Sequence, residues 1–577
     1  MEVFEKLYRQ KGDQYILDGY TLGEGTYVLV DEELKVKHIL DVVKSKEEVD
    51  RTVEHYELFC FMDYHSRIIN TNKCIDSAKL IHSNNYLSFF AKKDNIVSGK
   101  LSMEAIENHY ILLSHPEVKY KGKKKSREIY DEALKKCGEI NQLKLEECLG
   151  WIKEHLFILM ESQGIKQDKR YLKIFFEVED KSVYEYEGLR YLLPNIYNAT
   201  EYNVQIEDKT FGMPNDNLGL NSKKPYLKHK SRKNEVPYLI DADEVILQKK
   251  FMDVLENELA KGHTNIYIDE ERIRGVSYND FLTFKESENK AFSGFYLRIN
   301  RGKELEIIDS DTILRYTPVL KGFSVQRNIT IDYKDKEAGI KYGKIETLQE
   351  VAAMVNDRFF NKFLGGSYFG ELPDKLKDEV ISEALLRSRE AFFAWFYKGN
   401  KVAIKRLFPE VAMMLIKNSI INGQWIRAKE QWLLKDAVIS YLNGGNKQMG
   451  EQLQPILQDL ENKIMGSKEA AVDSDIEYYC AVGQLAYYLL SHNKGTKRTH
   501  ALINPILNCK EDVKLKEQLR KLFVKYNYDI VQGGKRFNRL YGMITGYTPS
   551  TTVIEDALLY GYLQDNLIYK KGDKEDE

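Results

Sequence analysis

The pattern of apolar residues changes in kind at about residue 345, and this change limits the folds open to the chain. Before it, β-rich runs such as Tyr171–Val178 (YLKIFFEV) and Thr264–Asp269 (TNIYID) alternate with helical stretches. Beyond it the strand pattern stops, and the chain is helical in periodicity as far as Tyr569. The sequence therefore predicts an α+β N-terminal region with mixed or antiparallel sheets, followed by an all-α C-terminal helical bundle.

The length of the chain requires more than one domain. At 577 residues it exceeds what a single hydrophobic core usually organises. Leu364-Gly365-Gly366 and Pro373 mark a boundary, which predicts a body over residues 1–370 and a helical bundle over residues 371–577. The net charge is -2, so a nucleic-acid surface on this chain would have to be local.

Local patterns predict several individual elements. Asp241–Leu259 has the pattern of an amphipathic helix, and Val325–Tyr333 has that of a strand. Phe295–Ile299 and Glu304–Ile308 flank Asn-Arg-Gly-Lys and predict a hairpin. Ser474-Asp-Ile-Glu477 has the sequence of a capping box and predicts the start of a helix.

The segment Phe211–Leu239 combines turn-forming residues with basic and aromatic ones. It contains two Gly, three Pro and four Asn, and between Asn215 and Glu235 it has six basic and two acidic residues. Asn amides can read base edges, Lys neutralises phosphate and Tyr stacks on bases, so this composition suits a nucleic-acid surface. The alternative is a solvated surface loop. The candidate contacts are Asn215, Asn217, Asn221, Lys223, Lys224, Lys228, Lys230, Arg232 and Lys233.

Two further regions concentrate positive charge. Lys119–Arg127 (KYKGKKKSR) is predicted to be a loop that either clamps phosphates or is simply solvated. Between Lys494 and Arg539 there are twelve basic and four acidic residues, which suits single-stranded DNA. The candidates in the first region are Lys119, Lys121, Lys123, Lys124, Lys125 and Arg127, and those in the second are Lys497, Arg498, Lys514, Lys521, Lys525, Lys535, Arg536 and Arg539.

Motifs of common enzyme classes are missing from the sequence. None of the eleven histidines is followed by aspartate, and GxxxxGK[ST], Gly-Gly-Asp-Asp, HExxH and GxSxG do not occur. We therefore expect a protein without catalytic residues, metal or cofactor. An enzyme whose carboxylates meet in space from distant parts of the chain stays open as an alternative.

The cysteines and the apolar runs indicate a location. The six cysteines are scattered without a CxxC pair, so a zinc ribbon is not expected. The first residues are charged throughout, and no run of 18 apolar residues occurs. These features predict a cytoplasmic protein that does not enter a membrane.

Several segments resemble the large subunit of type I-B CRISPR Cascade complexes. They are GMPNDNLGLNSKKPYL, then RKNEVPYLI and VILQKKFMDVLENELAKG, and in the tail AVGQLAYYLLSHNKG, INPILN and IEDALLYGYLQDNLIY. The first 200 residues contribute little to the resemblance. It implies a prokaryotic, non-catalytic subunit that recognises the PAM duplex, helps to open DNA, stabilises the R-loop and helps to recruit a helicase-nuclease. A guide RNA would read the target by base pairing.

The resemblance also implies roles and partners. Asn215, Asn217 and Asn221 would approach the bases of the PAM, and Lys223 and Lys224 would hold the adjacent phosphates. The C-terminal basic helices would hold displaced single strand. The partners would be guide RNA, target DNA, the backbone subunits, the handle-binding subunit, the small subunits and the helicase-nuclease. A structural scaffold of a ribonucleoprotein is a further alternative.

The resembled family also implies a second product of this gene, because its small helical subunit can be translated from inside the large-subunit gene. Here Gly444-Gly445 can be encoded as GGAGGN, a ribosome-binding sequence, and three codons then separate it from Met449. Residues 449–577 would form a small helical module. It would begin at a helix with an apolar stripe. Alternatively, Gly444-Gly445 only ends one helix and Met449 opens the next, and both readings can hold together.

We expect intact-mass analysis of the purified complex to show a fragment that starts at Met449. Met449→Leu, combined with recoding of Gly444 and Gly445 to GGT, should remove this fragment because the start codon and the ribosome-binding sequence are both lost. If the small species is unchanged, this start site is wrong, and Met413 or Met414 becomes the next candidate.

Overall fold

The chain divides into two compact units in a computed structural model. The first unit comprises Met1–Tyr278 and Gly294–Asp311, and the second comprises Asn279–Ser293 and Thr312–Glu577. This division falls earlier in the chain than the expected boundary at residue 370. The structure describes residues 1–43, 50–68, 74–120, 124–162, 165, 168–197, 200–207, 209–214, 231, 233, 238–282, 291–302, 305–334, 337–445, 447–466, 470–493, 500–530 and 534–570.

The first unit is α+β, as predicted, and β10 continues from it into the second unit. Its elements are α1 Glu2–Lys11, α2 Gln14–Leu17, β1 Gly25–Val30, β2 Val36–Val42, α3 Tyr56–Ser66, β3 Ser88–Lys92, α4 Lys93–Val97, α5 Met103–Ser114, α6 Lys124–Cys137, α7 Gln142–Ser162, β4 Tyr171–Phe176, α8 Ser182–Leu192, β5 Val204–Ile206, β6 Lys209–Phe211, α9 Ala242–Ala260, β7 His263–Ile268, β8 Ile273–Ser277, β9 Phe292–Arg301 and β10 Leu305–Tyr316.

The larger core of the first unit lies on a mixed sheet with strand order β2-β1-β4-β3. β1 is buried along its whole length and pairs parallel with β4 and antiparallel with β2. Phe59 of α3, Tyr110 of α5 and Trp151 of α7 belong to the core cluster that covers these strands. The β-rich run at Tyr171–Val178 is thus confirmed as a central strand, because both of its edges are paired.

The second sheet of the first unit has strand order β10-β9-β7-β8. The adjacency of β9 and β10 confirms the predicted hairpin. α9 begins after Asp241, whose carboxylate accepts the backbone N–H of Glu244 at 2.9 Å, as an N-cap should. Leu255 of α9 packs with Ile266 of β7 and Ile299 of β9 in one core cluster. The amphipathic pattern at Asp241–Leu259 therefore marks a helix that covers this sheet.

The second unit is mainly helical, and strands precede its helices. Within the described residues no helix is long and apolar enough to span a bilayer. Its further elements are β11 Val319–Val325, β12 Gly343–Thr347, α10 Leu348–Arg358, α11 Glu379–Lys398, α12 Val402–Ile421, α13 Trp425–Leu442, α14 Met449–Met465, α15 Asp475–Ser491, α16 Asn504–Leu507, α17 Asp512–Tyr526, α18 Lys535–Gly546 and α19 Glu555–Leu563. The described part of the chain thus has its last strand at Thr347, and the predicted helical bundle follows.

The predicted strand at Val325–Tyr333 is wrong. β11 ends at Val325, and the residues that follow form no regular strand, although Ile329 and Ile331 are buried. The backbone carbonyl of Asn328 accepts hydrogen bonds from the side chains of two residues of the C-terminal segment, at 2.9 and 2.8 Å. Side chains therefore meet the hydrogen-bonding needs that a neighbouring strand would otherwise meet.

Two glycines allow α15 and α19 to approach closely. A Cβ at Gly483 of α15 would collide with the backbone oxygen of Leu558, and a Cβ at Gly561 of α19 would collide with the backbone oxygen of Cys480. Gln484, which is fully buried, donates to the backbone oxygen of Gly561 at 2.6 Å. α15 and α19 thus form one tightly packed helix pair.

α14 begins at Met449, as predicted. Gly444 and Gly445 have φ angles of 92° and 81°, and they end α13 with a hydrogen bond from the backbone N–H of Gly445 to the carbonyl of Ser440. The carboxylate of Asp436 in α13 accepts the backbone N–H groups of Met449 and Gly450, at 2.8 and 2.7 Å. The helix start is therefore held by a residue that precedes the candidate internal start.

We expect Gly483→Ala to lower the free energy of unfolding by about 1–3 kcal/mol, because the added methyl group must displace the backbone of α19. Gly542→Ala is the matched control, since Gly542 is an exposed glycine inside α18 with no atom near a Cβ. Alanine there should stabilise the protein by about 0.5–1 kcal/mol through helix propensity alone. Thermal unfolding followed by tryptophan fluorescence measures both, and shifts in the same direction would contradict the close packing.

Candidate nucleic-acid interface

Gly212, Ile240 and Tyr197 form a hydrogen-bonded neck at the two ends of the central segment. Gly212 and Ile240 exchange two backbone hydrogen bonds of 3.0 and 3.1 Å. The hydroxyl of Tyr197 donates to the carbonyls of Thr210 and Ile240, at 2.7 and 3.1 Å. A Cβ at Gly212 would overlap the Tyr197 ring, so the neck requires glycine there. Both ends of the predicted base-reading segment are therefore fixed.

Most candidate contacts of the central segment lie outside the described residues. Lys233 is described, and it is exposed. The others, which lie outside, are Asn215, Asn217, Asn221, Lys223, Lys224, Lys228, Lys230 and Arg232.

The basic run at 119–127 is helical at both ends, although a loop is the expectation from sequence. A 3₁₀ helix spans Pro116–Tyr120, and α6 begins at Lys124. The ammonium of Lys119 donates to the carbonyls of Cys74 and Ile75, at 2.7 and 3.4 Å. Lys119 therefore ties two parts of the first unit together.

Arg127 also makes contacts within the first unit. Its guanidinium lies 2.8 Å from the carboxylate of Asp131 one turn later in α6, and it lies over the ring of Tyr130. Such i,i+4 pairs stabilise a helix by about 0.2–0.5 kcal/mol each, so this pair favours the helical form of the residues from Arg127 to Asp131. Lys124 and Lys125 belong to the first turn of α6, and Lys121 and Lys123 lie outside the described residues.

α17 and the start of α18 carry the cations predicted to hold single strand. Two of them form exposed ion pairs: the ammonium of Lys514 lies 2.9 Å from the carboxylate of Glu511, and that of Lys521 lies 2.8 Å from the carboxylate of Glu517. Lys497 and Arg498 lie outside the described residues. Three exposed cations make no close ion pair among the described residues, and we call this set the basic edge: Arg520, Lys525 and Lys535. Lys521, and to a smaller degree Arg520, lowers the pKa of Glu517.

Arg536 and Arg539, by contrast, are committed to structural bonds. Arg539 donates to the carbonyl of Ile464 at the end of α14, at 3.1 Å. Arg536 donates to the carbonyls of Ile568 and Lys570, which follow α19. Arg539 thus satisfies a backbone carbonyl that α14 leaves unpaired near its end, and Arg536 holds the segment that follows α19.

An aromatic cleft of about 380 Å³ opens beside the segment that follows α19. The rings of Trp425, Tyr487 and Tyr562 meet there with centroids 5.6–5.8 Å apart. Lys429 and Tyr569 line the same cleft. The sequence reasoning missed this cleft because its rings come from α13, α15 and α19. The only sign of the cleft in the sequence is the spacing of aromatic residues in α15 and α19. The same spacing is expected of helices that simply pack into a hydrophobic core.

Burial lowers the pKa of Lys429, and the nearby carboxylate of Asp565 opposes this shift in part. The ammonium of Lys429 donates to the carbonyl of Thr330 at 2.7 Å and lies 3.9 Å from the carboxylate of Asp565. The cleft therefore combines ring surface with one cation and one exposed carboxylate.

One group of three carboxylates comes close enough to hold a metal ion within the described residues, and an ammonium already lies between its members. These are Asp459, Asp473 and Glu477. The nitrogen of Lys463 lies 2.9, 2.7 and 2.7 Å from their oxygens. Burial opposes the charge of Lys463, but hydrogen bonds from its ammonium to these carboxylates outweigh burial and raise its pKa. This group is therefore an ion-pair network of the bundle.

Two buried aspartates of the first unit, Asp63 and Asp253, are matched by cations in the same way. Asp63, which is 1% exposed, accepts hydrogen bonds from Lys173 and Tyr20, both at 2.6 Å. Asp253 accepts hydrogen bonds from Lys249 at 2.7 Å and from Tyr64 at 2.9 Å. Each of these carboxylates forms a structural ion pair. Loss of the cationic partner would leave a buried negative charge without compensation.

Comparisons with protein-family profiles, with curated protein sequences and with solved structures each find no match to this chain.

We expect the triple substitution Arg520→Gln, Lys525→Gln and Lys535→Gln to weaken binding of an oligothymidylate and to reduce the salt dependence of binding. The slope of log K against log salt should fall by about 0.7 for each lost phosphate contact. Fluorescence anisotropy at several salt concentrations measures both effects.

A matched control removes the same charge elsewhere, through Lys35→Gln, Lys136→Gln and Lys153→Gln. These lysines are exposed in the first unit, and each already pairs with a carboxylate. An equal loss in both triple variants would show that net charge, and not the basic edge, controls binding.

Proposed function

We propose that this chain is a non-catalytic large subunit of a type I-B CRISPR Cascade complex. In this role it recognises the PAM, helps to open the duplex, stabilises the R-loop and helps to recruit a helicase-nuclease during antiviral defence in a prokaryotic cytoplasm. Its partners are guide RNA, target DNA, the backbone subunits, the handle-binding subunit and the small subunits. The small helical product that starts at Met449 belongs to the same proposal.

The observation that carries the proposal is the placement of the central segment on the neck. A segment rich in Asn and Lys that begins and ends at one hydrogen-bonded pair, Gly212 and Ile240, has a defined origin on the first unit. Base reading requires side chains to be held near the duplex, and a fixed base reduces the conformational freedom lost on binding. Asn215, Asn217 and Asn221 are the residues we assign to this contact, with Lys223 and Lys224 beside them.

The second unit supports a complementary role in holding the displaced strand. Lys525 and Lys535 of the basic edge make no ion pair among the described residues, and Arg520 has only a weak electrostatic interaction with Glu517, so these cations are available to phosphates. Lys514 and Lys521 can join them because exposed ion pairs are weak and exchange partners readily. The PAM duplex and the displaced strand would thus be handled by different parts of the chain.

Two other functions stay open to experiment. An enzyme would cut nucleic acid as the isolated chain in the presence of Mg²⁺ or Mn²⁺, whereas the proposed subunit would not. A structural scaffold would assemble with the other subunits without salt-sensitive binding of DNA. Cleavage and binding assays on one preparation therefore separate the three functions.

We expect Asn215→Ala, Asn217→Ala and Asn221→Ala to weaken binding of a PAM-bearing duplex more than binding of a PAM-less duplex. The difference should be about 1–3 kcal/mol for each contact that reads a base, because the lost amide bonds are specific to that base pair. The measurement uses the assembled complex and a duplex library with randomised flanking positions, which also identifies the PAM.

Asn234→Ala is the matched control, since Asn234 belongs to the same segment but not to the candidate contacts. It should weaken both duplexes equally or not at all. If the three test substitutions also weaken both duplexes equally, the asparagines only stabilise turns, and the proposed PAM contact is wrong.

A further inference from the structure

The aromatic cleft is held in shape by hydrogen bonds that fix the segment after α19. The side-chain oxygen of Gln484 accepts a hydrogen bond from the backbone N–H of Leu567 at 2.8 Å. The backbone carbonyl of Gln484 accepts one from the side-chain amide of Asn566, also at 2.8 Å. The side-chain amide of Gln564 donates to the carbonyl of Asn328 at 2.8 Å. Gln564 and Asn566 line the cleft, so its wall is preorganised.

The size and lining of the cleft suit one planar aromatic ligand. A volume of about 380 Å³ lies at the small end of the range of small-molecule sites, roughly 300–1,000 Å³. Trp425 and Tyr487 are only partly buried, and Tyr569 is 53% exposed at the rim. Aromatic side chains that line a small, partly open cleft are the usual platform for nucleobases, which bind by stacking.

The charges around the cleft favour a nucleotide over a cationic ligand. Two lysines, Lys429 and Lys570, and one carboxylate, Asp565, line it, so an anionic ligand is favoured there over a cationic one. Asp565 is 68% exposed, so its carboxylate can accept a hydrogen bond from a base N–H. Lys429 already donates to the carbonyl of Thr330, so Lys570 is the lysine that can meet a phosphate. Lys570 itself pairs with Glu461 at 2.6 Å, an exposed pair that a phosphate can replace.

α18, which carries Lys535 of the basic edge, contacts the rim of the cleft. Arg536 of α18 donates to the backbone carbonyls of Ile568 and Lys570, on either side of Tyr569. The ring of Tyr569 lies 5.3 Å from that of Tyr488, which lies 5.4 Å from Phe537 of α18. One cation of the basic edge and the rim of the cleft thus belong to neighbouring parts of the second unit.

We propose that the aromatic cleft holds one unstacked nucleobase of the displaced single strand and so anchors that strand at the end of the basic edge. This inference rests on the proposed function, because it needs a strand on the basic edge, and it adds a contact that depends on bases instead of phosphates. The basic edge supplies affinity that salt weakens, and the cleft supplies a fixed position along the strand.

The chain's own tryptophans provide the measurement. The sequence has four, and Trp151, Trp395 and Trp432 are at most 3% exposed, so quenching by a bound base reports on Trp425. The probes are an oligothymidylate and an oligonucleotide of the same length made only of abasic sites. We expect the full chain to bind the oligothymidylate about tenfold or more tightly than the abasic one. Only the oligothymidylate should quench tryptophan fluorescence.

Two variants test whether the preference comes from the cleft. Trp425→Leu and Tyr569→Ala should each reduce the preference for the base-containing oligonucleotide while leaving abasic binding unchanged. Tyr569 is half-exposed, so its substitution keeps the test valid if Trp425→Leu impairs folding. Tyr186→Ala is the matched control, a 45% exposed tyrosine of α8 in the first unit, and it should leave the preference unchanged.

The outcomes separate the cleft from the proposed function. If both oligonucleotides bind equally, in a salt-sensitive way and without quenching, the proposal that the cleft binds a base is wrong, and the strand-holding role is unaffected. A preference that survives in Tyr569→Ala and Trp425→Leu also overturns the cleft, since the bases must then bind elsewhere. Failure to bind either oligonucleotide at low salt overturns the strand-holding role and the cleft together.

Discussion

The contact between α15 and α19 is the constraint on which much of the second unit depends. Gly483 and Gly561 let the two backbones approach so closely that no side chain fits between them. The close approach in turn brings Gln484 within reach of Gly561, Asn566 and Leu567, which fixes the segment after α19. The absence of side chains at two glycines thus determines where the segment after α19, which forms one wall of the aromatic cleft, is held.

The helices and strands with strong periodicity could be predicted from the sequence, because their patterns are local. The strand at Tyr171–Phe176, α9 and the β9–β10 hairpin follow from residues within each element. The strand expected at Val325–Tyr333 fails for a long-range reason, since its alternating apolar residues are buried but the carbonyl of Asn328 bonds to side chains of the C-terminal segment. The periodicity of apolar residues indicates which residues are buried. It does not indicate which groups form hydrogen bonds with their backbone.

The candidate sites show the same division between local and distant information. Positive charge is visible in the sequence, but its availability is not. Lys119, Arg536 and Arg539 carry a positive charge as Lys525 does, yet each of the three donates to backbone carbonyls within its own unit. The aromatic cleft was invisible for the opposite reason, because rings from three helices become a site only when the bundle brings them together.

The neck at Gly212 and Ile240 has a consequence for how this protein can change. Both ends of the central segment are held by the backbone hydrogen bonds between Gly212 and Ile240 and by the hydroxyl of Tyr197, so these contacts do not depend on the side chains between them. Substitutions within residues 215–237 therefore leave the partners of the neck in place. Under the proposed function, the sequence that reads DNA can change while the residues that hold its two ends stay the same.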